Sequence, residues 1–354
     1  MKTEIYDVSA FGVIDPVTKR PDEEKHERAL GAIAKGAETI RNGGLVAFPT
    51  ETVYGLGADA FNETAVKKIF GAKGRPSDNP LIAHIARASD IGLLTPELSP
   101  NIVKLIDNFW PGPLTLVLRK QDRVPSITTG GLDTVAVRIP DDPVALELIR
   151  LSGTPLAAPS ANLSGSPSPT KAAHVIGDLD GKVNMILAGA DSRVGIESTV
   201  LDMTEETPVI LRPGVITADM ISAAIDMEVE YAPSLRPHHA GLNVDIAPRS
   251  PGMKYKHYAP KADMLVVEGN RDKVKREIDR LRALNERMGL KVGLLLFEEQ
   301  AYIEAAHDFY DKLRVLDGDG ADLILAGALS AKDGVGFAVM NRMLKSAGYN
   351  IVKV

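Results

Sequence analysis

"GAKGRPSDNPLIAHI", residues 71–85, carries two cations, Lys73 and Arg75, on a turn bounded by glycine and proline, and feeds directly into the apolar run "PLIAHI". The helix-like "ETAVKKIF" lies just before it. Helix, polar turn and buried strand thus follow one another closely, which is the repeating unit of α/β sheets. A connecting loop has no need of fixed positive charge. Arginine offers a planar fork to phosphate oxygens, lysine a compact point charge, and flanking glycines let backbone amides reach the same anion. Taken alone, the stretch also fits a solvated basic turn.

The alternation continues outward on both sides. In "HERALGAIAKGAETIRNGG" Leu30, Ile33, Ala37 and Ile40 recur at helical spacing, and Gly43-Gly44 supplies the stop. "LVAFP" reads as a buried strand. "SPNIVKLIDNFW" opens with an N-cap serine and a proline at the first helical position. "LTLVLRK" and "TVAVRIP" read as strands, "DPVALELIRLSG" as a helix closed by Gly153, and further strands are expected at "PLAA", "VNMILA", "STVLDM" and "PVILR". The pattern predicts an α/β domain over residues 25–231 with a large, mixed, twisted sheet. The first twenty or so residues carry no clear signal. After Tyr231, "APSLRPHHAGLNVDIAPRSPGMKYKHYAP" is proline-rich and aperiodic, which predicts a linker over residues 232–261. Its density of Lys254, Lys256, His257 and tyrosine suits a lid over a bound nucleotide better than a bare spacer. Beyond it "ADMLVVEG", "RDKVKREIDRLRALNERMG", "KVGLLLF" and "ADLILAGA" predict a smaller, doubly wound, Rossmann-like α/β domain over residues 262–354.

Composition bounds the chemistry. A chain of 354 residues suggests two domains, and 44% hydrophobic with 25% charged residues is ordinary for a globular protein. The formal charge of −6 argues against a broadly basic nucleic-acid-coating surface, while leaving room for a local basic cleft. With no cysteine, disulfides, thiolate metal sites and a cysteine nucleophile are excluded. "MKTEIYDVSAFGVIDPVTKR" lacks the apolar core of a signal peptide, and no run approaches the roughly 20 apolar residues of a membrane span. The expectation is a cytoplasmic enzyme.

Candidate chemistry gathers in polar islands that abut strands: "FPTETVYGLG", the Lys73–Arg75 turn, "APSANLSGSPSPT", "ESTV" and "LRPG". Strand ends are where ligands collect in open α/β sheets. In "TVAVRI" Thr134, Ala136 and Arg138 share one face, and in "PLIAHI" His84 shares a face with Ile82. An arginine on an apolar strand must be paired or must serve a ligand, whereas a lone histidine there is also satisfied as a core residue. Neither GxxxxGK[ST] nor GxGxxG occurs, so any nucleotide site is of another type. His238, His239 and His257 lack a carboxylate or metal-ligand spacing, and no protein metal site is expected.

Together "GGLVAFPTETVYGLG", "KGRPSDNPLIAHI", "FWPGPLTLVL", "LDTVAVRIP", "APSANLSGSPSPT", "ESTVLD" and "ILRPG" resemble the YrdC-like family, in its order, over about residues 25–230. "SPGMKYKHYAP" and the second α/β domain resemble its long, two-domain branch, the threonylcarbamoyl-AMP synthases. The KxR and SxN signature is met by Lys73, Arg75, Ser160 and Asn162. The resemblance implies a nucleotidyltransferase that converts L-threonine, bicarbonate and ATP to threonylcarbamoyl-AMP and pyrophosphate. That product feeds the threonylcarbamoyladenosine modification of tRNA next to the anticodon, by hand-over to a transferase complex. It also implies Mg²⁺ with the ATP. An ATP side of Lys73, Arg75, Asn79, Thr134, Ser160, Asn162, Ser168, Arg212 and Tyr258 is implied, with Lys73 and Arg75 catalytic. The implied threonine side is Thr52, His84, Arg138, Ala158 and Ser198, Arg138 meeting the carboxylate.

Two other readings compete. An RNA-binding or ribosome-associated module of the same fold would also want a basic concavity. It would further want stacking aromatics, yet these total 5% of the chain and none lies in the KGR or SAN loops. A carbamoyl-adenylating enzyme for another amine would share the loops and differ in its need for threonine.

Overall fold

The structure is a computed structural model that describes residues 2–14, 21–235, 258–331 and 333–354. The first part of the chain runs β1 (Glu4–Asp7), α1 (Glu23–Arg41), β2 (Val46–Phe48), β3 (Gly55–Asp59), α2 (Glu63–Lys73), β4 (Ile82–His84) and α3 (Pro100–Phe109). It continues through β5 (Leu114–Arg119), α4 (Ser126–Thr129), β6 (Thr134–Arg138), α5 (Pro143–Ser152), β7 (Leu156–Ala158) and α6 (Ala172–Leu179). Then come β8 (Met185–Ala188), β9 (Thr199–Asp202), β10 (Val209–Arg212), α7 (Ala218–Ile225) and β11 (Glu230–Tyr231). The second part is β12 (Asp263–Glu268), α8 (Arg271–Arg287), β13 (Val292–Leu295), α9 (Tyr302–Gly318), β14 (Leu323–Gly327), α10 (Gly334–Ser346) and β15 (Ile351–Lys353).

Helix limits follow from local chemistry. The side chains of Asp22, Asn62, Ser99 and Asp142 accept backbone N–H bonds at the starts of α1, α2, α3 and α5. Pro100 and Pro143 occupy first-turn positions, where no N–H is needed. Gly74 (φ 63°) and Gly153 (φ 69°) close α2 and α5 in the left-handed conformation.

Eleven strands form one mixed sheet in the order β1-β8-β2-β3-β7-β4-β6-β5-β9-β10-β11. β1 lies ahead of the expected domain start at residue 25 and pairs in parallel with β8, so the sheet reaches almost to the N-terminus. The second sheet is all parallel, β13-β14-β12-β15. Along β12, Met264 and Val266 face the α9–α10 layer while Leu265 and Val267 face α8, the period of two that a sheet covered on both sides requires. This is the doubly wound arrangement.

The two parts share a core. Val53 and Ile196 of the large-sheet domain pack with Phe309, Tyr310, Leu313, Val339 and Met343 of the C-terminal domain. Of the expected linker and lid, Pro233–Leu235 forms a single 3-10 turn and Tyr258 is seated against the C-terminal domain, its carbonyl accepting from Ser346 Oγ at 2.9 Å. Residues 236–257, with Lys254, Lys256, His238, His239 and His257, lie outside the described residues.

Candidate active site

A cleft opens where the central strands end, the place where ligands gather in open α/β sheets. Its floor is built by strand register. β4 and β6 run parallel with His84 beside Arg138 and Ile82 beside Ala136, and β7 sets Ala158 beside Ile82 from the other side. His84, Arg138, Ala158 and Ile82 all line the cleft, as alternation along the strands dictates.

Arg138 is buried and held from three sides. Its Nε donates to the Gly112 carbonyl (3.1 Å), Nη1 donates to Thr52 Oγ1 (2.9 Å), and Nη2 lies 2.6 Å from Glu51 Oε2. The last contact is a close ion pair outside hydrogen-bonding alignment. Thr52 itself is fixed by Thr50, whose hydroxyl lies 2.9 Å from the Thr52 hydroxyl. His84 is buried, with Nδ1 donating to the Ile82 carbonyl at 3.1 Å. Burial and then the Arg138 charge push its pKa down to about 3, so the imidazole is neutral near pH 7.

Ser198, which ends the approach to β9, also lines the cleft, and its hydroxyl lies 2.7 Å from Thr115 Oγ1. Arg212 donates to the Ser198 carbonyl through Nε and to Ser198 Oγ through Nη2, each at 3.1 Å. The β9–β10 register shifts between Ile210 and Arg212, and such an irregularity re-aims the side chain at that point. Beside them Glu197 accepts from Ser168 Oγ (2.6 Å), the Tyr310 hydroxyl (3.0 and 3.1 Å) and Arg342 Nε (3.0 Å). Burial raises the Glu197 pKa, but the Arg342 and Arg212 charges and the Ser168 hydroxyl outweigh it and hold the carboxyl at about 2.

The SAN loop reaches the cleft through Ser160. Ser160 Oγ donates to Asn162 Oδ1, and Asn162 Nδ2 donates to the Leu163 and Ser166 carbonyls. Lys73, at the end of α2, is buried beneath this loop and donates to the Ser160 and Asn162 carbonyls, with Asn162 Oδ1 3.4 Å away. Burial, followed by repulsion from Arg75, pushes its pKa well down. Lys73 therefore braces the loop, whereas Arg75 lines the cleft itself. Asn79 is fully buried and neither amide atom has a partner among the described residues. Leaving such a group unpaired costs about 1–3 kcal/mol.

Nine of the residues singled out in the sequence line one cleft: Thr52, Arg75, His84, Arg138, Ala158, Ser160, Ser198, Arg212 and Tyr258. Lys73, Asn162 and Ser168 stand one layer behind, bonded to Ser160 or Glu197. Thr134, half-buried at the start of β6, and Asn79 do not line it. Glu197 and Glu51 were given no role from sequence, although "ESTV" and "TET" were both visible as polar islands. Nothing local marked Arg342 or Tyr310.

The family model for Sua5, YciO and YrdC proteins, described as "Telomere recombination", matches residues 38–214, and one described as "Threonylcarbamoyl-AMP synthase, C-terminal domain" matches residues 216–348. The chain belongs to the Sua5/YciO/YrdC family. The threonylcarbamoyl-AMP synthase of Pyrococcus abyssi is 49% identical over 352 residues, covering 97% of this chain and 99% of that protein. The threonylcarbamoyl-AMP synthase of Bacillus subtilis is 45% identical over 341 residues, 91% and 94% of the two chains. Among solved structures, P. abyssi Sua5 complexed with L-threonine superimposes with a TM-score of 0.89 at 47% identity, over 99% of this chain and 100% of that one. The likeness to these Sua5/YciO/YrdC proteins thus spans both sheets and the cleft.

Proposed function

We infer that this chain is an L-threonylcarbamoyladenylate synthase, a nucleotidyltransferase making threonylcarbamoyl-AMP and pyrophosphate from L-threonine, bicarbonate and ATP. The observation that carries the reading is that one cleft is lined by a prefixed guanidinium (Arg138), the neutral histidine next to it in register, and two further arginines, Arg75 and Arg212. The whole-length likeness to threonylcarbamoyl-AMP synthases supports it.

In this reading the amine of threonine and bicarbonate, losing water, give a carbamate, whose oxygen attacks the α-phosphorus of ATP as pyrophosphate leaves. The nucleophile is already anionic, so positioning and charge neutralisation matter more than a strong base. Arg138 takes the threonine carboxylate, with Thr52, His84, Ala158 and Ser198 shaping the pocket for the rest. Neutral His84 adds no repulsion toward Arg138 and leaves the substrate amine unchallenged by a second cation. Lys73 and Arg75 serve the triphosphate, Arg75 directly and Lys73 through the SAN loop. Ser160, Asn162, Ser168, Arg212 and Tyr258 complete the ATP side, to which the family resemblance also assigns Asn79 and Thr134 although neither lines the cleft. Among the described residues no group of three or more His, Asp or Glu could cage a metal, and both carboxylates nearest the cleft are engaged, Glu51 by Arg138 and Glu197 by Arg342. Mg²⁺ would enter with the nucleotide substrate, held partly by its phosphates.

Residues 25–231 carry most of the chemistry and 262–354 form the supporting domain, while most of the expected linker and lid, 232–261, lies outside the described residues. The product passes to a tRNA-modifying transferase. ATP and tRNA as reaction partners suit a cytoplasmic enzyme, and no helix among the described residues is long and apolar enough to cross a membrane. The test is pyrophosphate release from ATP with threonine and bicarbonate omitted in turn. Release should need both. Turnover that persists without threonine would point to another amine, and salt-sensitive RNA binding without turnover to an RNA-binding module.

A further inference from the structure

We infer that Arg342 and Tyr310, both in the C-terminal domain, are positioning residues for the ATP half of the cleft and act through Glu197. The inference rests on reading Ser168 and Arg212 as ATP-side residues.

Arg342 is completely buried and reaches two segments of the other domain at once. Its Nε donates to Glu197 Oε2, Nη2 lies 3.4 Å from the Glu197 carbonyl oxygen, and Nη1 donates to the Pro213 carbonyl at 2.6 Å. Glu197 immediately precedes Ser198, and Pro213 immediately follows Arg212. Arg212 and Ser198 are the pair that meet across the cleft wall. One side chain of the C-terminal domain therefore clamps the backbone on both sides of that contact. Tyr310 adds its hydroxyl to both Glu197 oxygens, and among the described residues Ser168 is the side chain of the large-sheet domain that hydrogen-bonds the carboxylate. A buried carboxylate keeps a single orientation only while its lone pairs are taken up, so loss of either C-terminal partner frees Glu197 to turn and Ser168 with it.

The docking that delivers these groups is close. Gly195 (φ 83°) sits so near α9 that a Cβ there would lie 2.4 Å from backbone atoms of Ala306 and His307. The C-terminal domain is thus seated directly on the segment leading to Glu197 and Ser198.

The experiment uses the full-length chain and measures ATP and threonine binding separately by calorimetry. Tyr310→Phe keeps the ring that packs on Tyr258 and Phe309 and removes only the hydroxyl. It should weaken ATP by about five-fold or more, and threonine, whose pocket Ser198 also shapes, by clearly less. Arg342→Lys, which keeps the charge but not the fork, should lose less ATP affinity than Arg342→Met. If Arg342→Met does not fold, Arg342→Lys and Tyr310→Phe decide the matter. Tyr310→Phe combined with Ser168→Ala should cost less than the sum of the two, because both act on one carboxylate. Equal weakening of both ligands would mean that the contacts merely hold the fold, and unchanged ATP binding in both conservative variants would also overturn the inference. A wild-type chain that binds neither ligand would overturn the functional reading beneath it.

Discussion

Arg138 has its guanidinium fixed by Gly112, Thr52 and Glu51 before any ligand arrives. A lysine at this position would supply one charge and could not hold the same three partners in plane. Arg138→Lys is expected to weaken threonine binding by about ten-fold or more, about 1.4 kcal/mol, while ATP affinity changes by less than about two-fold. Titration calorimetry checks this, and equal losses for both ligands would make Arg138 structural. That Arg138 and His84 face inward was legible in the sequence, because alternation along a strand needs only neighbouring residues. The place of Lys73 was not. Its acceptors lie at positions 160 and 162, and nothing near residue 73 shows that the ammonium turns inward to brace a loop.

At the scale of elements, strands rich in valine, leucine and isoleucine were legible, and so were helices with a capping residue and a glycine stop. β3 was missed because "GLGAD" offers two glycines and no β-branched residue. Its Gly57 is there for Phe48, whose ring would lie 2.8 Å from a Cβ at that position. β1 was missed because four residues on an exposed edge carry little pattern. Gly195 shows what an element junction demands. Its backbone has φ 83° and no space for a side chain beside α9. Gly195→Val should cost about 3 kcal/mol or more, from the strained φ and the backbone clash together. Urea denaturation monitored by circular dichroism would test it, and stability within about 0.5 kcal/mol of wild type would show that the docking yields freely.

Over the whole molecule, the shared core of Val53 and Ile196 with α9 and α10, together with the buried Glu197–Arg342 pair, joins the two domains. Its stability should fall on acidification in two stages. His84 and His174 have folded pKa values pushed down to about 3 and about 4, burial being the leading cause in each. Below about pH 6.5 the unfolded chain takes up protons on these groups that the folded chain does not, so stability drops by up to about 1.4 kcal/mol per pH unit for each. Glu197, held at about 2, contributes stability that is full above its unfolded value of 4.5 and lost as pH falls toward 2. Denaturation midpoints at pH 7, 5.5 and 4 should therefore decline, and His84→Gln should flatten the slope between 6.5 and 4.5. A pH-independent midpoint over that range would contradict the neutral, buried state of His84. The sequence showed two α/β units but not this union, since the groups that join them are far apart along the chain.

The Glu197–Arg342 pair also bears on how such a protein can be inherited. Two residues 145 positions apart form one unit of change, because altering either alone strands a buried charge at a cost of about 3–5 kcal/mol. A crossover that joined this large-sheet domain to a C-terminal domain from a distant relative would succeed only if the newcomer carried a matching cation on the helix equivalent to α10 and a glycine-tolerant surface on α9. The two halves can be exchanged in evolution only as a matched set.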